Sequence, residues 1–325
     1  MISIRQDDMI IKVTQESGLC QKTVLELLHS LSLSSKMIKA LKYRDDGILV
    51  NGEHKTVRYV LLENDAVSLA LDDDRPSKNA PPSDTPIDII YEDSEIIAIN
   101  KPPFMPTHTS HNHHDDTLAN AVAGYFQRQS VPFVFRPINR LDRNTSGIVL
   151  IAKNKYSAAL LTREMKERKF KKSYVAYLEG ELGEPDVTVE YMGMTLGVID
   201  KPIRRAKESI IFREVCSRDD QNAEEALTYY RILQSSKECT EVEVWPQSGR
   251  THQLRVHFAS LGHPIMGDDL YGSESAHIKR HALHARSLEF SLPPSIEKMA
   301  EPSRSVILTA PIPEDMLKIQ RKFFN

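Results

Sequence analysis

Residues 136–147 read Arg-Pro-Ile-Asn-Arg-Leu-Asp-Arg-Asn-Thr-Ser-Gly, which sets one carboxylate, Asp142, among the guanidinium groups of Arg136, Arg140 and Arg143. A guanidinium beside a carboxylate favours its ionised form and can orient it through paired hydrogen bonds. An ionised, oriented carboxylate can act as nucleophile or base. The same residue types also suit a salt-bridged surface loop, since structural ion pairs perturb ionisation too. A second cluster, 247–257, reads Gln-Ser-Gly-Arg-Thr-His-Gln-Leu-Arg-Val-His. It interleaves Arg250, His252, Arg255 and His257 with Leu254 and Val256, the composition of a partly buried polar site or of a helix with an ordinary solvated face. The loop 107–116, Thr-His-Thr-Ser-His-Asn-His-His-Asp-Asp, is rich in metal-ligand types. Its ligands are crowded on one loop, so it reads as solvated chain and no metal site is assigned.

Both clusters need a scaffold. Ile148-Val149-Leu150-Ile151 directly follows the first and predicts a buried strand. Lys155 to Arg168 predicts a helix and Lys171 to Leu178 a strand. Thr251 to Ser260 predicts a helix that carries the second cluster, with Leu254, Phe258 and Leu261 on one side. Ile87–Tyr91 and Ile96–Asn100 predict strands around an acidic turn, and Thr117–Gln129 an amphipathic helix. Thr228–Leu233, Glu241–Trp245, Leu288–Leu292 and Val306–Thr309 predict further strands. Strands and helices without a regular beta-alpha-beta rhythm imply an α+β domain with a mixed, mainly antiparallel sheet.

Upstream lies a small α/β module. Val24, Leu27, Leu28 and Leu31 give one helix an apolar face, and Ser34 or Ser35 starts a second that carries Met37, Ile38 and Leu41. A strand over 47–52 ends in an Asn-Gly turn, and Val57–Leu62 and Ala66–Leu71 look like two more strands. The segment from Asp72 to Thr85 has three acidic residues in a row, then Pro76, Pro81 and Pro82, and no large apolar residue. It reads as a linker. The expected division is a module at 1–72, a linker at 73–86 and a catalytic domain at 87–325.

The chain has 325 residues, 40% of them hydrophobic, enough for about two domains with a sizeable core. Its net charge of −3 excludes a wholly basic nucleic-acid coat but not a local basic groove. Such grooves are suggested by Arg163, Lys166, Arg168, Lys169, Lys171 and Lys172, and more weakly by Lys201, Arg204, Arg205 and Lys207. Cys20, Cys216 and Cys239 are scattered, without metal or redox spacing, which fits a reducing compartment. No apolar run reaches the roughly 20 residues of a membrane helix. The expectation is a soluble, cytoplasmic monomer.

The motifs, taken in order, resemble the RluA-type family of RNA pseudouridine synthases. They are Tyr91-Glu92-Asp93, Asn100-Lys101-Pro102 with His108, Arg140-Leu141-Asp142 with Thr145-Ser146-Gly147, Lys172-Ser173-Tyr174, and Ala226-Leu227-Thr228. After these come Gly249 through His257, Gly262-His263-Pro264, Gly267-Asp268, Tyr271-Gly272, Leu283-His284-Ala285 and Ala310-Pro311. The resemblance spans about residues 87 to 315. The front module resembles the alpha-L RNA-binding fold of ribosomal protein S-four through Ser34-Ser35-Lys36, Val50-Asn51-Gly52 and Asp65-Ala66-Val67. RNA contacts there would run through Lys36, Lys39 and Lys42.

The resemblance implies roles. Asp142 is similar to the catalytic aspartate, Arg255 to the arginine that pairs with it, and Tyr174 to the aromatic that stacks on the target base. The phenolic oxygen of Tyr174 would also help remove the proton at carbon 5. Arg140 resembles the side chain that fills the gap left by an extruded nucleotide. Leu254 would line the base pocket, and Arg250 and Lys172 would complete the substrate contacts. The implied reaction has no net redox change and needs no cofactor, and the implied partner is ribosomal or transfer RNA. The alternative is a catalytically silent RNA-binding or ribosome-assembly factor. Two departures stand out. Asn139 occupies the family's usual His, and Pro103-Phe104 follows Lys-Pro where the family favours Gly.

Overall fold

The computed structural model describes residues 9–31, 33–71, 80–209, 211–293 and 304–324. At the N-terminus come β1 (Met9–Lys12), α1 (Val24–Ser30), α2 (Ser35–Lys42), β2 (Ile48–Val50), β3 (Glu53–His54) and β4 (Ala66–Leu69). The strands form an antiparallel sheet in the order β1-β4-β2-β3. Thr23 and Glu26 form a capping box on α1, and the Ser34 hydroxyl caps α2. Val24, Leu27, Leu28, Ile38 and Leu41 then close on Val50, Val67 and Leu69 as one core. Asn51 and Gly52 have φ of +54° and +81°, the left-handed pair that a two-residue hairpin turn uses.

Val57–Leu62 is not a strand. Its carbonyls serve the unpaired amides at and before the start of α1, with Val24 N–H donating to Tyr59 O, Leu25 N–H to Val57 O and Gln21 N–H to Leu61 O. The apolar alternation that suggests a strand reflects burial beneath a helix end. Residues 73–79 of the expected linker lie outside the described residues. Its remainder packs on the next domain, where Ser83 N–H donates to Asn120 O and Asn120 Nδ2 to Pro81 O.

The second unit runs through β5 (Ile89–Glu92), β6 (Ile96–Lys101), α3 (Leu118–Arg128), β7 (Arg136–Pro137), β8 (Ser146–Ala152), α4 (Lys155–Lys166) and β9 (Lys171–Glu179). It continues with β10 (Thr188–Tyr191), β11 (Met194–Asp200), β12 (Ile203–Arg205), β13 (Arg213–Val215), β14 (Leu227–Ser235) and β15 (Cys239–Pro246). It closes with α5 (Gln253–Ala259), β16 (Leu283–Ser291), β17 (Ser305–Thr309) and α6 (Glu314–Phe324). An eleven-stranded sheet follows the path β10-β11-β14-β15-β9-β16-β8-β6-β5, with β17 on β16 and β7 on β8; β12 and β13 form a separate ribbon. The fold is α+β, and the sheet is antiparallel except where β16 meets β8.

That parallel junction brings the two ends of the site together. Gly147 in β8 stands opposite Ala285 in β16, Ala285 opposite Tyr174 in β9, and Tyr174 opposite Val244 in β15. The loop after Asp142 and the strand end before α5 thus emerge over the same central strands. Every residue of β8 is buried, as its unbroken apolar run requires. Two side chains of α4, Tyr156 and Leu160, pack into the core of the N-terminal module. Among the described residues no helix is long and apolar enough to cross a membrane.

Candidate active site

The loop that carries Asp142 is fixed mainly through its backbone. The Thr107 hydroxyl donates to Leu141 O at 2.8 Å, and Thr145 N–H closes a turn onto Asp142 O at 3.1 Å. The ammonium of Lys101, fully buried, donates to Pro102 O, Met105 O and Arg143 O at 2.8, 2.9 and 3.2 Å. Burial and the nearby Arg280 pull that lysine down to about 7, while the charge of Asp142 works in the other direction. Arg280, bidentate on Asp315, donates to Asn144 O at 3.1 Å. Asn139 does by hydrogen bonding what its position demands, donating to Ile148 O and accepting from Leu150 N–H at 2.9 and 2.8 Å. It thereby ties the loop to β8. Phe104 keeps a left-handed backbone, φ +67°, at the place where the sequence lacks a Gly.

The cations that face the Asp142 carboxylate come from outside its loop. Arg143 donates to Phe104 O and Arg136 to Val134 O. The groups 4.0 Å from Asp142 Oδ2 are Arg255 Nη1 and His252 Nε2. Arg255 is itself bidentate on the buried Asp268, at 2.7 and 2.6 Å, and its guanidinium lies 5.1 Å from the Tyr271 ring centre. Burial alone would raise the Asp268 carboxyl; the two hydrogen bonds and charge of Arg255 reverse this and hold it below the usual range.

The start of α5 is held by Gln253. Its side chain accepts from the Ser248 hydroxyl and Arg250 N–H and donates to Leu227 O and the Thr228 hydroxyl. His252 takes φ +58° there, and its Nδ1 lies 2.8 Å from the Tyr271 hydroxyl. Burial lowers its pKa, Asp142 opposes the shift, and Arg255 and Arg213 add to it.

A cleft of about 290 Å³ opens between these elements, and all seven site residues expected from sequence line it: Asp142, Tyr174, Arg255, Arg140, Leu254, Arg250 and Lys172. Tyr174 is half-buried on β9, with its phenol pushed up by burial and by the charge of Asp142. It stays neutral at ordinary pH. Lys172 is pulled down by burial, the condition of a cation that gains from an arriving anion. Arg250 is engaged with Glu224 at 2.9 Å and with Glu225 O at 3.1 Å. In the second basic stretch Arg204 is paired with Glu214 and Asp220 and Lys201 donates to Ser260, so these two side chains serve the fold.

Sequence reasoning gave no site role to Lys101, His252, Asp268 or Tyr271, although each lies in a quoted motif. Asp268 and Tyr271 stand 13 and 16 residues beyond Arg255, on a turn rather than on its helix, so no local spacing reveals that they hold its guanidinium. In the His-rich loop His113 Nδ1 pairs with Asp116 at 2.7 Å.

A family model described as RNA pseudouridylate synthase matches residues 95–260, which hold both clusters and the strands between them. An uncharacterised RNA pseudouridine synthase of Bacillus subtilis, YjbO, is 33% identical over 297 residues, covering 91% of this chain and 98% of its own. The ribosomal large subunit pseudouridine synthase D of Xanthomonas campestris pv. campestris is 32% identical, over 74% of this chain and 70% of its own. The solved structure of human RNA pseudouridylate synthase domain containing 1 superposes with a TM-score of 0.54 at 29% identity, covering 71% of this chain and 85% of that one. Fold, motif order and relatives agree, and the chain belongs to the RluA-type family of RNA pseudouridylate synthases, isomerases that convert uridine to pseudouridine.

Proposed function

We propose that this enzyme isomerises uridines of structured RNA, ribosomal RNA in particular, with Asp142 as the catalytic carboxylate. The observation that carries this reading is one wall of the cleft. There an Asp142 oxygen 4.0 Å from the Arg255 guanidinium shares the lining with Tyr174 and Leu254. The preference for ribosomal RNA rests on relatives about a third identical that are named for the large ribosomal subunit.

The bond from C1′ to N1 breaks, the base turns, C1′ bonds to C5, the C5 proton leaves and N1 gains one. Oxidation state does not change, so the balance needs no redox partner. Asp142 attacks C1′ or takes a proton from the sugar as a carboxylate, with the Arg255 guanidinium 4.0 Å from its Oδ2. A uridine must leave its stack to enter the cleft, at a cost of a few kcal/mol. Stacking on Tyr174 returns about 1–3 kcal/mol of that. Arg140 fills the vacated gap, Leu254 bounds the base, and Lys172 and Arg250 meet the backbone. With the Tyr174 phenol held neutral, its part is stacking and hydrogen-bond donation, and a phenolate base for the C5 proton is disfavoured.

Turnover of a uridine-containing ribosomal RNA fragment tests the reading. Asp142→Asn should form no pseudouridine while binding the same RNA. Retained turnover in that variant would reject Asp142.

A further inference from the structure

Beside the contact that Tyr156 and Leu160 make with the N-terminal module lies a second cleft, of about 630 Å³. Its module wall includes His29 at the end of α1 and Met37 in the first turn of α2. Its opposite wall presents Lys155, Arg163 and Lys166 from α4 and Arg136 from β7. Among the described residues that line it, four are Lys or Arg and none is Asp or Glu. In a chain of net charge −3 such a concentration is local. Arg163 shares part of its charge with Glu167, 3.9 Å away and exposed, outside the lining. Ala158 and Ala159 also line it, and their small side chains leave room between the charged ones.

The two clefts are neighbours. Thr162 and Lys166 of α4 face this one, while Met165, in the same helical turn, lines the active-site cleft. Arg136 faces this one, while Ile138, Asn139 and Arg140 on the same segment line the other. Six residues of chain join Arg136 to Asp142, which limits their Cα separation to about 22 Å. The turn of α4 that holds Thr162, Met165 and Lys166 therefore lies between a cleft that bears the Asp142 carboxylate and one whose described lining holds Lys and Arg but neither Asp nor Glu.

We propose that the cleft between the module and α4 binds phosphates of the same RNA whose uridine enters the active site, so that the RNA crosses α4 as it would a saddle. The inference rests on the reading of the enzyme as acting on structured RNA. It adds a second, sequence-independent contact to that reading. Polyanion binding releases counterions, so each phosphate contact steepens the dependence of affinity on salt.

Binding of a structured ribosomal RNA fragment to the full-length chain, titrated across salt concentrations, tests it. The measurements are made in the Asp142→Asn background, so that they report binding whatever becomes of the catalytic assignment. Lys166→Gln should lower the slope of log affinity against log salt by about one, and Lys155→Gln/Lys166→Gln by about two. Lys318→Ala, on the exposed side of α6, should leave the slope as it is. In the Asp142 enzyme the double variant should raise KM for that fragment and hold kcat. Lys166 is exposed, and an unchanged thermal midpoint would show that the double variant is folded. Slopes and KM equal to the parent's would overturn the proposal, and would turn the cleft over to an acidic protein partner. Loss of all pseudouridine formation by the parent, with the slopes still falling as stated, would sink the catalytic reading alone.

Discussion

Nε2 of His252 stands 4.0 Å from Oδ2 of Asp142, and the Tyr271 hydroxyl decides which form of the imidazole faces the carboxylate. Tyr271 oxygen accepts Arg213 N–H at 2.9 Å, which leaves its own proton for His252 Nδ1 at 2.8 Å. Nδ1 is then an acceptor, and the neutral ring carries its hydrogen on Nε2, toward Asp142. Asp142, Arg255, Arg213 and Asp268 also act on the ring, with burial the largest influence.

A hydrogen bond donated to Nδ1 favours the neutral imidazole, so Tyr271→Phe should let His252 protonate at higher pH. An imidazolium beside Asp142 makes the carboxylate a weaker base and nucleophile. The acid limb of kcat should therefore move upward by as much as about one pH unit, since a lost hydrogen bond is worth about 1 kcal/mol. The Phe ring keeps the face that Arg255 lies against. Superimposable pH profiles of the two proteins would refute the coupling.

Asp268 does for Arg255 what the loop arginines were expected to do for Asp142. It neutralises a buried guanidinium and fixes its plane. Asp268→Asn removes that charge while Arg255 stays buried, and breaking a buried pair costs about 3–5 kcal/mol. The urea midpoint should fall accordingly. Turnover of the folded fraction should fall as well, because Arg255 becomes free to close directly on Asp142. A variant with parental stability would show that the pair contributes nothing net.

Stability should weaken in mild acid for a reason separate from catalysis. Burial holds His257 and His284 down to about 4 and His281 to about 3, against 6.5 for an exposed imidazole. His257 is fixed as a neutral ring between the Thr228 hydroxyl and Lys201 O, and His281 by the Thr145 hydroxyl. Each folded-state value is depressed, so the stabilisation is complete above pH 6.5 and is lost as pH falls toward 4. Across that window the unfolded chain binds protons that the folded chain refuses, at about 1.4 kcal/mol per pH unit for each histidine. Unfolding free energies from urea titrations at pH 7.5 and pH 5 should differ by several kcal/mol, with the midpoint lower at pH 5. Equal midpoints would mean that the three rings admit water or protons more freely than their burial implies.

What was legible in the sequence was local. The apolar run at 148–151, the hydroxyl cap at Ser34 and the Asn51-Gly52 turn all report on neighbours within a few residues, and all fold as read. Val57–Leu62 misled because burial under the start of α1 produces the same alternation as a sheet. β10, β12 and β13 are short and partly exposed, so they carry little apolar pattern. The seven expected site residues share one cleft, yet the ion pair of Arg255 with Asp268 was invisible. A turn, rather than helical periodicity, sets that distance.

Gly147 joins these levels in one atom that is missing. It follows the Asp142 loop at the parallel junction, with φ +114°, and a Cβ there would lie 2.2 Å from Ala285 O. Backbone conformation and space both forbid a side chain, and the obstructing atom is main chain on β16, which cannot step aside without disturbing its pairing with Tyr174 on β9. Gly147→Ala should therefore cost about 3 kcal/mol or more, and should move Asp142 away from Tyr174 in whatever protein still folds. Two readings separate the effects: the urea midpoint for stability, and kcat of the folded enzyme below its new midpoint for geometry. A variant that keeps both would show that β8 and β16 can part without loss, and that their junction does not set the distance across the cleft.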